Sequence, residues 1–285
     1  VQAAADQTQP VQPAAAQPAL ELPCRAACLI DQQTGTILYE KNADQQMPIA
    51  SITKVMTLLL TFEAVHDGRI AMDTLVPVSE HAYHMGGSQI WLEPGEQFTL
   101  DEMIKAICVS SANDAAVAVA ELVGGSEPVF VEQMNARAAE LGCTGTNFTC
   151  AHGLFDYGNV STAQDLAKIA AACAQNQTFA QVAGTASYVL PATNLRKAEY
   201  TISSSNSLMN SESSNYREYV RWVKGGFTTL AGRCIVAFAE KDGHTYGLVI
   251  LGCDTPDHLF AECDDLFDWA FASFADRPLV DTQTV

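Results

Sequence analysis

The order of patterns along the chain predicts an α+β fold: one antiparallel sheet flanked by helices, with a helical subdomain inserted into it. Three observations carry that expectation. Two short apolar runs near the start, Arg25 to Asp31 and Thr36 to Glu40, flank the turn Gln32-Gln33-Thr34-Gly35 and read as a hairpin. A block of helical patterns follows. Three strand patterns, Arg221 to Phe227, Cys234 to Glu240 and Gly247 to Gly252, then close the chain with a terminal amphipathic helix over about 256–275. Early strands that pair with late ones make a single sheet, and everything between becomes an insertion.

Residues 1–23, rich in Ala, Gln and Pro, read as a flexible linker. Residues 24–285 read as one domain, with a sheet region over about 24–45 and 185–285 and a helical region over about 46–184. A helix is expected from the Pro48-Ile49-Ala50-Ser51 stretch to a stop at Asp67-Gly68. Residues 73–100 alternate extended pieces with turns such as Glu93-Pro94-Gly95-Glu96. Thr99 followed by Glu102 is a capping-box pattern opening the next helix, which halts at Ser110-Ser111-Ala112-Asn113. Helices over Asp114 to Val123 and Pro128 to Leu141 each end at glycine. After an irregular loop at 143–161, the Ser161-Thr162-Ala163-Gln164-Asp165 stretch caps a helix over about 163–174. The polar, serine-rich 185–222 segment reads as loops with short strands, and Asp242-Gly243 turns the last hairpin.

The formal net charge is −18, from 33 acidic and 15 basic residues among 285, which argues against nucleic-acid binding. An apolar fraction of 48% against 17% charged describes a globular chain. No apolar run approaches the roughly 18 to 20 residues needed to cross a bilayer. The opening linker has the composition that follows a removed secretion signal, so an extracytoplasmic location is expected. Nine cysteines include no C-x-x-C pair, so no metal site is expected. Cys143 and Cys150 are spaced either to bridge a tight loop in an oxidising compartment or to remain two thiols. Most of the others fall inside apolar runs and read as buried thiols.

The chemistry centres on Ser51 and Lys54. Three residues is just under one helical turn, so both side chains leave the same helix face. A hydroxyl becomes a competent nucleophile when a neighbouring base takes its proton. An amine is such a base once desolvation or a second cation lowers its pKa. The tetrad alone is common and by itself reads first as an ordinary surface Ser and snorkelling Lys. It gains meaning from Ser111-Ala112-Asn113 at a helix junction and Lys224-Gly225-Gly226 on a strand edge.

Together these resemble the S-x-x-K, S-x-N and K-T-G set of penicillin-binding proteins and serine β-lactamases. The flanks narrow the match. Met47-Pro48-Ile49-Ala50-Ser51-Ile52-Thr53-Lys54, Gly86-Gly87-Ser88, Leu92-Glu93-Pro94-Gly95-Glu96, His152-Gly153-Leu154 and Ala231-Gly232-Arg233-Cys234 are similar to low-molecular-mass D-alanyl-D-alanine carboxypeptidases, from about residue 24 to 275. The resemblance implies a serine β-lactamase/penicillin-binding-protein-like fold, no cofactor, and catalysis by Ser51, Lys54, Ser111, Asn113 and Lys224. Ser51 would attack the D-Ala-D-Ala peptide bond with Lys54 as base. Ser111 would pass a proton to the leaving amine, Lys224 would keep the field positive, and Asn113 would bond the substrate amide. The N–H groups of Ser51 and Phe227 would form the oxyanion hole, a contribution of typically ~3–4 kcal/mol per donor. Ser88, Gly225, Gly226, Phe227 and Thr228 would line the substrate site. The implied partners are a peptidoglycan stem peptide ending in D-Ala-D-Ala and β-lactams as acylating inhibitors. His152 reads as loop packing, Asp165 as a helix cap, and Phe267, Trp269 and Phe271 as core.

Two departures stand out. The family's threonine is Gly225 here, removing a hydroxyl that helps hold the substrate carboxylate; Thr228 is the expected substitute, and reduced activity follows. Some members also carry a β-rich domain and a membrane-lying helix, and membrane association is expected only through such segments, which this sequence does not include. Two rivals remain. A class A β-lactamase needs a deacylating glutamate well beyond the S-x-N triplet, and Glu127-Pro128 falls too close to it. A non-catalytic penicillin or peptidoglycan binder would treat Gly225 as the mark of a lapsed enzyme.

Overall fold

The computed structural model describes residues 20–154, 156–204 and 206–274. Most of the expected linker, residues 1–19, and the last residues of the expected domain, 275–285, lie outside the described residues. Leu22 and Cys24, however, are buried against the sheet at 5% and 2% exposure, and Lys41 Nζ donates to the Cys24 carbonyl at 2.8 Å. Leu22, at the end of the stretch that composition assigns to the linker, thus packs with the sheet.

In chain order the strands are β1 (Ala26–Asp31), β2 (Ile37–Lys41), β3 (Met47–Pro48), β4 (Leu75–Val76), β5 (Phe98–Thr99), β6 (Val160–Ser161), β7 (Ser187–Leu190), β8 (Tyr200–Ser203), β9 (Val220–Thr228), β10 (Gly232–Lys241) and β11 (His244–Cys253). The helices are α1 (Lys54–His66), α2 (Glu80–Tyr83), α3 (Leu100–Ser110), α4 (Asn113–Gly124), α5 (Glu127–Glu140), α6 (Ala163–Ala174), α7 (Gln177–Ala183) and α8 (Pro256–Ser273). The main sheet runs β2-β1-β11-β10-β9, every pair antiparallel, so the first two strands join the last three as expected.

Strand alternation divides the sheet between two cores. Ala27, Leu29, Ile235, Ala237, Leu248 and Ile250 face α8 with Leu266 and Phe267. Ala26, Cys28, Ile30, Val236, Val249 and Leu251 face the helical region. Both faces are covered, which is why β10 and β11 read as nearly unbroken apolar runs. The edge strand β9 borders the cleft. Its Trp222 and Lys224 turn toward the helices, and its Val223 turns toward α8.

Local chemistry sets the helix boundaries. Thr99 and Glu102 form the reciprocal capping box. Thr162 caps α6 by accepting from Asp165 N. Asp165 itself is not the cap: its Oδ2 accepts from Gly145 N and Thr146 Oγ1, tying down the loop ahead of the helix. The β7–β8 ribbon stands apart from the main sheet and packs on α3, so the sheet resumes at Val220 rather than near 185. The short helix α2 lies where only extended pieces and turns were expected, and α7 adds a short helix at the end of the expected helical region; Ser79 and Asn176 cap them. Cys143 and Cys150 are free thiols, not a bridge. Cys143 Sγ points at the Asp165 carbonyl and Cys150 Sγ accepts from Gly153 N.

Candidate active site

A cleft of about 350 Å³ opens where the β9 edge meets the helical region, lined by Ser51, Ser88, Ser111, Asn206, Lys224, Gly225, Gly226, Phe227 and Arg233 among others. The chain positions each of these by a separate device.

Ser51 does not sit in an α-helix. It lies in the 3₁₀ turn Ala50–Thr53, which runs directly into α1. In that tighter turn residues i and i+3 eclipse, bringing Lys54 Nζ to 3.1 Å from Ser51 Oγ. The turn is held from outside. Ala50 adopts φ 48°, a left-handed conformation costly for a residue with a Cβ. Gly153 presses against it so closely that a Cβ there would lie 1.9 Å from the Ala50 carbonyl oxygen. Thr57 Oγ1 donates to Ala151 O at 2.6 Å and Asn159 Nδ2 to Thr53 Oγ1 at 2.7 Å, so the 151–159 loop clamps the nucleophile's turn.

Lys54 is fully buried. Its Nζ lies 2.6 Å from Asn113 Oδ1 and 2.6 Å from the His152 carbonyl oxygen. Those two oxygens only accept, so they take both hydrogens of an uncharged amine. In that uncharged form the direction toward Ser51 Oγ, 3.1 Å away, is the one left for the lone pair. Burial first, and the Lys224 charge second, hold the Lys54 pKa well below the ordinary lysine value.

Asn113 is 2% exposed, and its Nδ2 donates to the Gly86 carbonyl at 2.7 Å. Its first commitments are thus inside the protein, holding Lys54 and the 86–88 loop, with one amide hydrogen left over. Its backbone N–H bonds Ser88 O, and Asp114 accepts from Ile90 and Leu92 N–H, so the start of α4 fixes the whole Gly86–Leu92 wall.

Ser111 ends α3 in a left-handed conformation, φ 57° and ψ 33°. It receives a 2.8 Å hydrogen bond from Lys224 Nζ, which also donates to Gly225 O at 2.7 Å. Burial lowers the Lys224 pKa to about 8. Because the Gly225 carbonyl faces the cleft, strand alternation turns the Phe227 N–H the same way, off the β10 ladder. Gly226 is where β9 touches the nucleophile: a Cβ there would lie 2.9 Å from Ser51 N and 3.2 Å from Ile52 N. Ser51 N–H belongs to the first turn of its helix, where donors lack intrahelical partners.

Other expectations resolve differently. Thr228 Oγ1 accepts from Ala231 N at 3.1 Å inside the β9–β10 turn and does not line the cleft, so it does not replace the hydroxyl missing at 225. His152 contributes its backbone carbonyl rather than its ring. Its Nδ1 accepts from Leu154 N–H, and burial lowers its pKa, so the imidazole is neutral. Glu127 holds His81 and the Ala151 N–H. None of the described residues lining the cleft is acidic. Arg233 and Asn206 line it without having been singled out. The signal for Arg233 was the short turn after Phe227, which sets the two residues opposite each other.

Comparison with known proteins agrees with this geometry. The family pattern described as Peptidase_S11, D-alanyl-D-alanine carboxypeptidase, matches residues 11–255. D-alanyl-D-alanine carboxypeptidase DacF of Bacillus subtilis (strain 168) is 38% identical over 255 residues, covering 90% of this chain and 64% of that protein, so the chain spans less than two thirds of that relative's length. The crystal structure of penicillin binding protein 6B from Escherichia coli superposes with a TM-score of 0.83 at 28% identity, covering 94% of this chain and 84% of that one. Penicillin-Binding Protein D2 from Listeria monocytogenes, solved in an ampicillin-bound form, gives 0.76 at 27% identity over 90% of this chain and 100% of that one. The fold is that of penicillin-binding proteins and serine β-lactamases, and the chain belongs to the Peptidase_S11 family, the D-alanyl-D-alanine carboxypeptidases.

Proposed function

We propose that this chain is a serine D-alanyl-D-alanine carboxypeptidase that removes the terminal D-alanine from peptidoglycan stem peptides and is acylated by β-lactams. The observation carrying this reading is the environment of Lys54, a buried amine whose Nζ lies 3.1 Å from Ser51 Oγ and 2.6 Å from each of two acceptors, Asn113 Oδ1 and the His152 carbonyl oxygen, with burial pushing its pKa down. Lys54 takes the hydroxyl proton as Ser51 Oγ bonds to the carbonyl carbon of the penultimate D-alanine. The N–H groups of Ser51 and Phe227 receive the developing oxyanion. Ser111, oriented by Lys224, relays the proton taken up by Lys54 to the leaving nitrogen as the C–N bond breaks and D-alanine departs, so that Ser111 and Lys54 both return to their starting states. Water then cleaves the ester, returning Ser51 and leaving a peptide one residue shorter.

The absence of an acidic side chain among the described residues lining the cleft favours this reading over a class A β-lactamase, which needs a glutamate to activate the deacylating water. A stem-peptide substrate places the working enzyme outside the cytoplasm. Among the described residues no helix is long and apolar enough to cross a membrane. Incubation with a fluorescent penicillin, then with diacetyl-Lys-D-Ala-D-Ala, tests the proposal. Label on Ser51 together with free D-alanine is expected. Label without D-alanine supports a non-catalytic binder, and rapid penicillin turnover supports a β-lactamase.

A further inference from the structure

Glu127 fails as a deacylating glutamate on its spacing, and it does not line the cleft, yet its carboxylate is buried behind the catalytic base. It is the first residue of α5, following the Ser126 cap. Its Oε1 accepts from Ala151 N–H at 2.9 Å and lies 3.6 Å from His152 Nε2. Its Oε2 lies 2.6 Å from Nε2 of the half-exposed His81.

The 150–154 turn supplies acceptors for two of its own N–H groups, Cys150 Sγ for Gly153 and His152 Nδ1 for Leu154. Ala151 N–H takes its acceptor from α5 instead. Because Nδ1 accepts, the neutral His152 ring carries its proton on Nε2, turned toward Glu127. The carbonyls of the same two residues serve α1. Ala151 O accepts from Thr57 Oγ1 at 2.6 Å, and His152 O lies 2.6 Å from Lys54 Nζ. The Ala151–His152 segment is therefore strung between one carboxylate on α5 and two donors on α1, one of which is the base. A buried N–H deprived of its acceptor is costly, so this segment shifts when the carboxylate is drawn back.

We propose that Glu127 is a positioning residue for the Lys54 amine: by holding Ala151 N–H it fixes the His152 carbonyl, and with it the direction in which Nζ meets Ser51 Oγ. This rests on the carboxypeptidase reading and deepens it. The reach of the Glu127 oxygen is what acts, not its charge. After burial, the groups that bear on the Lys54 pKa are Lys224, Cys150 and Asp114.

Two variants separate reach from charge. Glu127→Asp keeps the charge and withdraws the oxygen by one methylene. Glu127→Gln keeps an oxygen at full length for Ala151 N–H and gives up the charge, its amide donating to His81. The measurements are the penicillin acylation rate constant at saturation, the dissociation constant of the complex that precedes acylation, and kcat/KM for D-alanine release from diacetyl-Lys-D-Ala-D-Ala. Glu127→Asp is expected to lower the acylation rate constant roughly 10- to 100-fold, the scale of an ångström-sized misplacement, with the dissociation constant unchanged. D-alanine release should slow alongside, and Glu127→Gln should stay close to the wild type. Thr57→Val removes the donor at Ala151 O and should slow acylation in the same way. Combined with Glu127→Asp it should cost less than the product of the two single losses, because both act on one peptide segment. His81→Gln leaves the Ala151 bond in place and should acylate at the wild-type rate.

The opposite order, with Gln slow and Asp near wild type, would assign the effect to charge and overturn the proposal. Equal losses in both variants, a loss confined to the dissociation constant, or a lowered melting temperature with unchanged acylation would overturn it too. Penicillin labelling of Ser51 and release of D-alanine by the wild type are read in the same series. If both fail, the carboxypeptidase reading fails. If both succeed while Glu127→Asp acylates at the wild-type rate, only the assignment of Glu127 does.

Discussion

The inner wall of the cleft and its rim are built on opposite plans. On the inner wall, Lys54, Asn113, Ser111 and Lys224 are all tied to protein partners at 2.6–3.1 Å, and both lysines are sealed from solvent. On the rim, Phe227 is exposed, Arg233 Nε has no partner, and Gly225 presents no side chain at all. The difference separates two tasks. Proton transfer needs groups fixed before substrate arrives, so the wall is fully bonded and its backbone is held in costly left-handed conformations at Ala50 and Ser111. Recognition needs groups whose bonds are completed by the ligand, so the rim is left unfinished.

Substitutions that strike the wall should therefore cost far more than those at the rim. Ser51→Ala removes the atom that forms the acyl bond, and covalent penicillin adducts should vanish from the intact-mass spectrum. Lys54→Met keeps the bulk but removes the base; acylation should slow by about 10²–10⁴-fold, the range for a positioned general base, as followed by fluorescent penicillin labelling. Residual label at the wild-type rate would contradict the role given to the amine.

A third prediction concerns pH. Burial depresses the Lys224 pKa to about 8, so its ammonium is present below that pH and lost above it. Acylation should fall as pH rises through about 8, and this alkaline limb should be missing from Lys224→Gln, which is slow throughout. The smallest effect belongs to the rim. A Cβ at Gly225 meets only Asn206 Nδ2, at an ordinary contact distance, so Gly225→Thr fits. Its kcat/KM should rise by roughly tenfold, the lower end expected for a hydrogen bond to a charged group. A much larger gain would show that the rim of the natural chain binds the carboxylate poorly.

What the sequence exposed and what it hid follow the same division. Local rules revealed the Thr99–Glu102 capping box, the Asp242-Gly243 turn, the joining of early and late strands, and the three short motifs that meet at the cleft. The cap and the turn depend on residues near one another, the strand joining on the order of elements along the chain, and the motifs on chemistry specific to a residue type. Features produced by contacts between distant segments stayed hidden. The 3₁₀ turn at Ser51 depends on Gly153 lying against Ala50, about a hundred residues away in the chain. Thr228 was misassigned because alternation gives the face of a strand residue but not the competing demand of Ala231 N–H in the adjoining turn. Arg233 required the register between β9 and β10, which no single strand pattern contains.

The most direct test follows the Lys54 amine itself by nitrogen-15 NMR of lysine-labelled protein across the pH range of acylation. A titration midpoint far below that of the exposed lysines, matching the acid limb of the penicillin-labelling rate, is the predicted result. An ammonium at position 54 that titrates together with the surface lysines would contradict activation of Ser51 by an uncharged neighbour.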